Sequence, residues 1–459
     1  MQFLLYPTFV LLMLKPEASV STRLNLKTLS AIFAVVVSFV LIDVSISSLV
    51  DVYYPFTTSS MGVTLFIVTA GILFAGTYII LKIIEGKISI QNRRETYEKR
   101  IAKGAWIVYY LMIVVNVIVI LQLLFFSEYY TGLLSLAAAV SYGLATLLVG
   151  LLAYNLLTWF ARNRSLVVLL YGLACISASM FVGLLAVIFY IEIFVHQPLV
   201  TTLDSAAKFP EIVPGFEEII IVKLPGILSA TTFLSFWGGT IAILYANIRR
   251  IGKTRFWILV TSPIIFFLGT LISLYPEIQG PMPEDDPNSI IIPVYITNFS
   301  QIIAIALFAV AFVSMARGIR QHIVSSFMYI TCYGLSLLSI GIIATVSAAG
   351  YPPFGLPTIS LIGPFSFLLF IGLHHSAIAT AEDSNLRRNI KVSAFQQLGL
   401  LKSIGTSEME RKLEKKIMEV ARLNADNLKE QSGIEPTLSL DETRQYVYEA
   451  LEEAKRIRK

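Results

Sequence analysis

The chain has 459 residues, 56% of them hydrophobic and only 14% charged, with a mean hydropathy of +0.74 and a formal net charge of +5. This composition excludes a disordered chain and an ordinary soluble domain, and it assigns the protein to a lipid bilayer. The two cysteines, Cys175 and Cys332, fall within apolar runs and imply core packing, with no disulfide framework.

The first 28 residues read as an N-terminal cytoplasmic or interfacial segment. The opening MQFLLYPTFVLLML is apolar but short, contains Pro7 and lacks a basic n-region; as a signal peptide it would send Lys15, Arg23 and Lys27 outside. An interfacial or poorly ordered extension, or a start at Met13, fits better.

A membrane-crossing helix needs about 20 apolar residues at a rise of about 1.5 Å each. Ten such stretches follow, at 29–50, 62–82, 105–126, 132–159, 166–194, 224–248, 256–275, 292–316, 323–346 and 359–380. The fold class is therefore all-α: a polytopic transmembrane bundle over 29–381, with a cytoplasmic helical tail over 382–459.

Basic residues support this division. With both termini inside, the only Lys or Arg residues in outer loops are Lys208 and Lys223, and none of the 35 lies deep in a span. That asymmetry is the positive-inside pattern of a multi-pass protein of the cell membrane, whose first partner is the lipid bilayer.

Two acids lie within spans. Asp43, in LIDVSISS, is costly at the bilayer centre, and Ser45, Ser47 and Ser48 beside it would admit a neighbouring helix or water. Glu192 lies near the outer end of the fifth span. Both are candidates for ligand or ion contact; the plainer readings are a hydrogen bond to a neighbouring helix for Asp43 and headgroup contact for Glu192.

The outer loops are acidic. Val195–Val222 carries Asp204, Glu211, Glu217 and Glu218, and PEIQGPMPEDDPN gathers Glu277, Glu284, Asp285 and Asp286 among prolines. Clustered carboxylates suit a hard divalent cation, but the ligand spacing of an EF-hand loop is absent, and a solvated, proline-stiffened loop is the simpler account. Aromatic residues recur at the outer ends of spans, in YYPF (53–56), YYT (129–131), YPE (275–277) and YPPF (351–354), as an interfacial belt would have them.

His374 and His375 are further ligand candidates. Adjacent helix positions point about 100° apart, so the two cannot share one metal ion from a regular helix, and buried or cavity-lining neutral imidazoles are expected, with pH sensing as the sharper alternative. No Walker loop, HExxH, GxSxG or CxxC is present, so no catalytic residue, metal or cofactor is assigned, and no basic patch interleaved with aromatics suggests nucleic acid.

Leu373–Leu398 contains neither Gly nor Pro, which predicts that the last span runs on as a rod of about 39 Å. The alternative is a kink with Asp383 or Ser384 as a new N-cap. Ser407 with Glu410 reads as a capping box that starts a helix striped by Met409, Leu413, Ile417, Val420, Leu423 and Leu428, with Gly399 and Gly405 as a hinge before it. Ser439 with Glu442 announces another, striped by Val447, Leu451, Ala454 and Ile457. These faces require cover: from each other as a hairpin, from a second copy in a coiled coil, or from a cytoplasmic protein, through residues 408–458.

GYPPFGLPT at 350–358, the LRR after the last span and LLKSIGTSEME at 400–410 resemble an uncharacterised family of archaeal multi-span membrane proteins, and the ending resembles the stalk of membrane-bound sensors. The resemblance covers about the last quarter of the chain and implies no activity. An integral membrane sensor or scaffold that docks a partner through its cytoplasmic helices is the expected function; a secondary transporter with a five-plus-five inverted arrangement is the alternative.

Overall fold

The computed structural model describes residues 26–48, 56–90, 96–196, 200–202, 224–246, 248, 252–274, 308–310, 312–313, 316–317, 322–343, 350–382 and 399–432. Their elements are α1 (Leu26–Ser48), α2 (Ser60–Ile90), α3 (Thr96–Phe126), β1 (Glu128–Tyr130), α4 (Thr131–Asn163), α5 (Leu166–His196), β2 (Val200–Thr202), α6 (Leu224–Ala246), α7 (Lys253–Leu274), α8 (His322–Ile343), α9 (Leu356–Glu382) and α10 (Gly399–Ser432).

Among the described residues, α1 to α6, α8 and α9 are long and apolar enough to cross a membrane. The protein is thus an all-α, multi-pass integral membrane protein. α7, which carries Pro263, coincides with the seventh expected span but is not among these eight. The expected span at 292–316 lies largely outside the described residues, and its described positions are helical.

The centre of the bundle is α9. From Leu356 to Ala381 every residue but Ile378 is buried, and the helix packs against α1, α2, α3, α4, α8 and α10. A helix apolar on all sides can be covered in this way, whereas a membrane helix at the rim keeps one face for lipid. On α3 that face shows as exposed Ile107, Val114, Leu121 and Leu124.

Glycine sets the approach of α8 to α9. A methyl group at Gly334 would meet the backbone of Leu369, and one at Gly372 would lie 2.5 Å from the Thr331 nitrogen. Close backbone contact through small residues is how membrane helices gain packing without a hydrophobic drive between them.

The upper end of the bundle, where α9 begins, also holds a short antiparallel ribbon: Glu128 opposite Thr202, Tyr129 opposite Thr201 and Tyr130 opposite Val200. Strands of three residues leave no periodic trace, and the sequence does not announce them.

α10 departs from expectation. It begins at Gly399, so Ser407 and Glu410 are interior helix positions and not a capping box, and Gly405 is no hinge. A Cβ at Gly405 would sit 2.6 Å from Thr380 Cγ2, so this glycine lets α10 lie against the lower end of α9. The expected rod falls mainly on residues 383–398, outside the described residues; α10 itself stands beside α9 and not beyond it on the same axis. The expected end of the helix before Gly433 and the second expected capping box, at Ser439 and Glu442, both fall on residues outside those described.

Gly372→Ala is expected to lower the thermal midpoint of the purified protein by the equivalent of about 1–3 kcal/mol, because the Thr331 backbone cannot retreat. Gly143→Ala, where an added Cβ meets nothing within 4 Å, should be neutral or slightly stabilising. Equal melts for the two variants would contradict the packing described.

Candidate functional site along the buried helix

α9 poses three polar problems within the bundle, and side chains from other helices answer each. At its upper end the first backbone N–H groups have no partner within the helix. Gly355, at φ 90°, takes the left-handed turn into the helix. Asp43 of α1, fully buried, completes the start: Oδ1 accepts the Gly355 N–H at 2.9 Å, and Oδ2 accepts the Thr358 N–H at 3.1 Å and the Thr358 hydroxyl at 2.6 Å. A carboxylate here also faces the positive end of the helix dipole. Asp43 therefore acts as the N-cap of a helix more than 300 residues away in sequence, against protein and not lipid.

The loop before α9 is held by aromatics. The Tyr129 hydroxyl donates to the Gly350 carbonyl at 2.8 Å, the Tyr351 hydroxyl to the Leu123 carbonyl at 3.5 Å, and Phe354 meets Phe66 edge-on at 5.6 Å. Tyr129, Tyr351 and Phe354 are all buried, which corrects the interfacial-belt reading for these three residues. A loop turning inside a bundle needs hydrogen-bond partners that lipid does not offer. Tyr130, about half exposed, stays on the surface.

In the middle, Pro364 has no N–H to give the carbonyl of Ser360. The Ser141 hydroxyl of α4 supplies one at 3.1 Å, and its oxygen accepts the Gly363 N–H at 3.0 Å. Asn116 of α3 adds a bond from Nδ2 to the Ser360 hydroxyl oxygen at 2.8 Å and another to its own Met112 carbonyl at 2.9 Å.

At the lower end the His374 ring is stacked on Phe370 at 5.4 Å and on Trp159 of α4 at 6.4 Å, and His375 is stacked on Phe327 of α8 at 5.2 Å. The two imidazoles are 5.9 Å apart and steeply inclined, and among the described residues no group of three His, Cys, Asp or Glu is placed to hold a metal ion.

Trp159 is also where α10 docks. Its indole N–H donates to Glu408 Oε2 at 3.2 Å, Arg411 donates to Glu408 Oε1 at 2.8 Å, and the Ser407 hydroxyl donates to the Trp159 carbonyl at 3.0 Å. Arg162 pairs with Glu414 at 2.9 Å, and Asn163 donates to the Ser403 carbonyl at 3.3 Å. Leu400, Leu401, Ile404, Ser407 and Glu408 are buried by this contact.

The remaining sequence candidates fall on positions whose side chains are not described. Glu192 lies in the last turns of α5, with its side chain outside the described residues, and Glu277, Glu284, Asp285 and Asp286 lie outside them too. Sequence reasoning missed Asn116, Ser141, Ser360, Trp159, Glu408 and Arg411. Pro364 and Asn116, both inside apolar spans, were the available signal; counting only charged residues passed over them. Cys175 and Cys332 are free and buried, as core residues.

No family model matches the chain, and no curated protein and no solved structure is significantly similar to it.

Asp43→Ala leaves the Gly355 and Thr358 N–H groups without an acceptor, and should lower the unfolding free energy by about 2–4 kcal/mol. Asp43→Asn, which keeps one acceptor oxygen, should cost less; a melt in detergent unchanged by either substitution would show that Asp43 does not cap α9. At the other end, Glu408→Ala should loosen α10, seen as trypsin cutting after Arg411 or Lys412 at least about tenfold faster than in the exposed-site control Glu419→Ala.

Proposed function

We propose that this protein is a membrane-embedded sensor or docking scaffold with both termini on the cytoplasmic side, and that α10 is its output surface. The orientation rests on the distribution of Lys and Arg. The observation that carries the reading is the division of α10 into two halves. Its first half is built into the bundle through Ile404, Ser407 and Glu408, while its second half leaves Leu413, Ile417, Val420 and Leu423 exposed along one stripe. An apolar stripe on a helix clamped to a membrane bundle is suited to receive an amphipathic helix from another polypeptide. The tight burial of α9 supports transmission: a movement of its lower end would reach Trp159, which stacks on His374 and bonds Glu408.

Secondary transport is the second reading, favoured by the interrupted hydrogen-bond ladder of α9 around Pro364. Transporters place substrate sites at broken helices near the midplane.

The test is a photo-crosslinker at Leu423 of the full chain in its native membrane. It should trap a second polypeptide, with yield falling at least about tenfold in Leu413→Asp/Val420→Asp while the thermal midpoint stays unchanged. Lys416→Cys in the same protein should react with impermeant thiol reagent only from the cytoplasmic side. Crosslinks confined to residues 433–459 of the same chain would show an internal hairpin and overturn the docking reading.

A further inference from the structure

The Pro364 region carries more than a repaired helix. Asn116 lies ten residues from the upper end of α3 at Phe126, about 15 Å along the axis, which is half the thickness of the hydrocarbon core. The side chain is 1% exposed, and its amide orientation is fixed, because Nδ2 donates both to the Met112 carbonyl and to Ser360 Oγ. Exchanging Nδ2 and Oδ1 would set two acceptors against each other at Met112. Oδ1 is left buried with no hydrogen-bond partner among the described residues. Beside it, the Ser360 hydroxyl oxygen accepts from Asn116, and its own hydrogen serves no bond among the described residues.

One unused acceptor and one unused donor on neighbouring groups are the requirements of a water molecule, which supplies both. A bare cation suits the place badly. The Met112 carbonyl already takes Nδ2–H, the Ser360 carbonyl takes the Ser141 hydroxyl, and the Ser141 oxygen takes Gly363 N–H. Too few oxygens remain for a hard cation, which takes about six.

We propose that Asn116 Oδ1 and the Ser360 hydroxyl bind a single water molecule at the bilayer midplane, against the interrupted turn of α9. The water accepts from Ser360 and donates to Asn116. This stands apart from both functional readings, since neither docking at α10 nor transport is needed for it.

The experiment is water-to-protein magnetisation transfer by solid-state NMR on the full chain in lipid bilayers, with labelled Asn, Ser and Val. Asn116 and Ser360 should receive magnetisation from water, whereas Val119, buried, apolar and nearer the surface on the same helix, should not. Asn116→Leu should abolish the transfer at Ser360, and Ser360→Ala should at least halve it at Asn116; the second substitution keeps the test open where the first impairs folding. Absence of transfer in the unmodified protein would overturn the proposal. So would an Asn116 resonance that shifts when sodium is exchanged for potassium, because a cation would then hold the place.

Discussion

The structure depends on how a helix begins inside a membrane bundle. α9 is sheathed by protein on every side, so its unpaired first N–H groups open neither to water nor to headgroups, and an unsatisfied amide there is expensive. Asp43 removes the problem with one carboxylate that takes three donors. Burying an anion is itself unfavourable, and the dipole of α9 together with the three hydrogen bonds offsets that cost. The same contact ties the end of α1 to the start of α9 and sets their antiparallel register.

The other two supports of α9 follow the same logic. Pro364 deprives Ser360 of its usual donor, and Ser141 restores it from α4. At the lower end α10 returns to the core and buries Glu408 between the Trp159 indole and Arg411. In each case the polar group is supplied by a different helix, so the bundle is specified by directional bonds as well as by shape. Apolar packing alone would leave α9 free to rotate among near-equivalent faces; three fixed polar contacts along its length remove that freedom.

The spans were legible because each is a charge-poor run of the needed length. Asp43 was conspicuous as an acid in such a run, but its partner, the Gly355–Thr358 turn, lies at a distance in sequence that no periodicity bridges. Helix ends after the membrane were harder. Ser407 with Glu410 has the spacing of a capping box, yet the helix begins at Gly399, because burial of Leu400, Leu401 and Ile404 against α4 and α9 outweighs a local preference of about 1 kcal/mol. Gly405 looks like a hinge for the same reason: sequence shows its lack of a side chain but not Thr380 opposite it. Asn116, Ser141 and Ser360 carry no charge and sit among apolar residues, so only their meeting at Pro364 gives them meaning.

These contacts bear on the output role proposed for α10. Trp159 carries the Glu408 bond on its indole edge and the His374 ring on its face, so the side chain that holds α10 is also packed against α9. A shift or rotation of the lower half of α9 would therefore move the surface on which Glu408 rests. The upper half is pinned by Asp43 and cannot follow freely, and the Pro364 turn between them is where the backbone ladder is weakest. A central helix fixed at one end, interrupted in its middle and coupled at the other to an exposed apolar stripe has the order of parts that communication through a packed bundle requires.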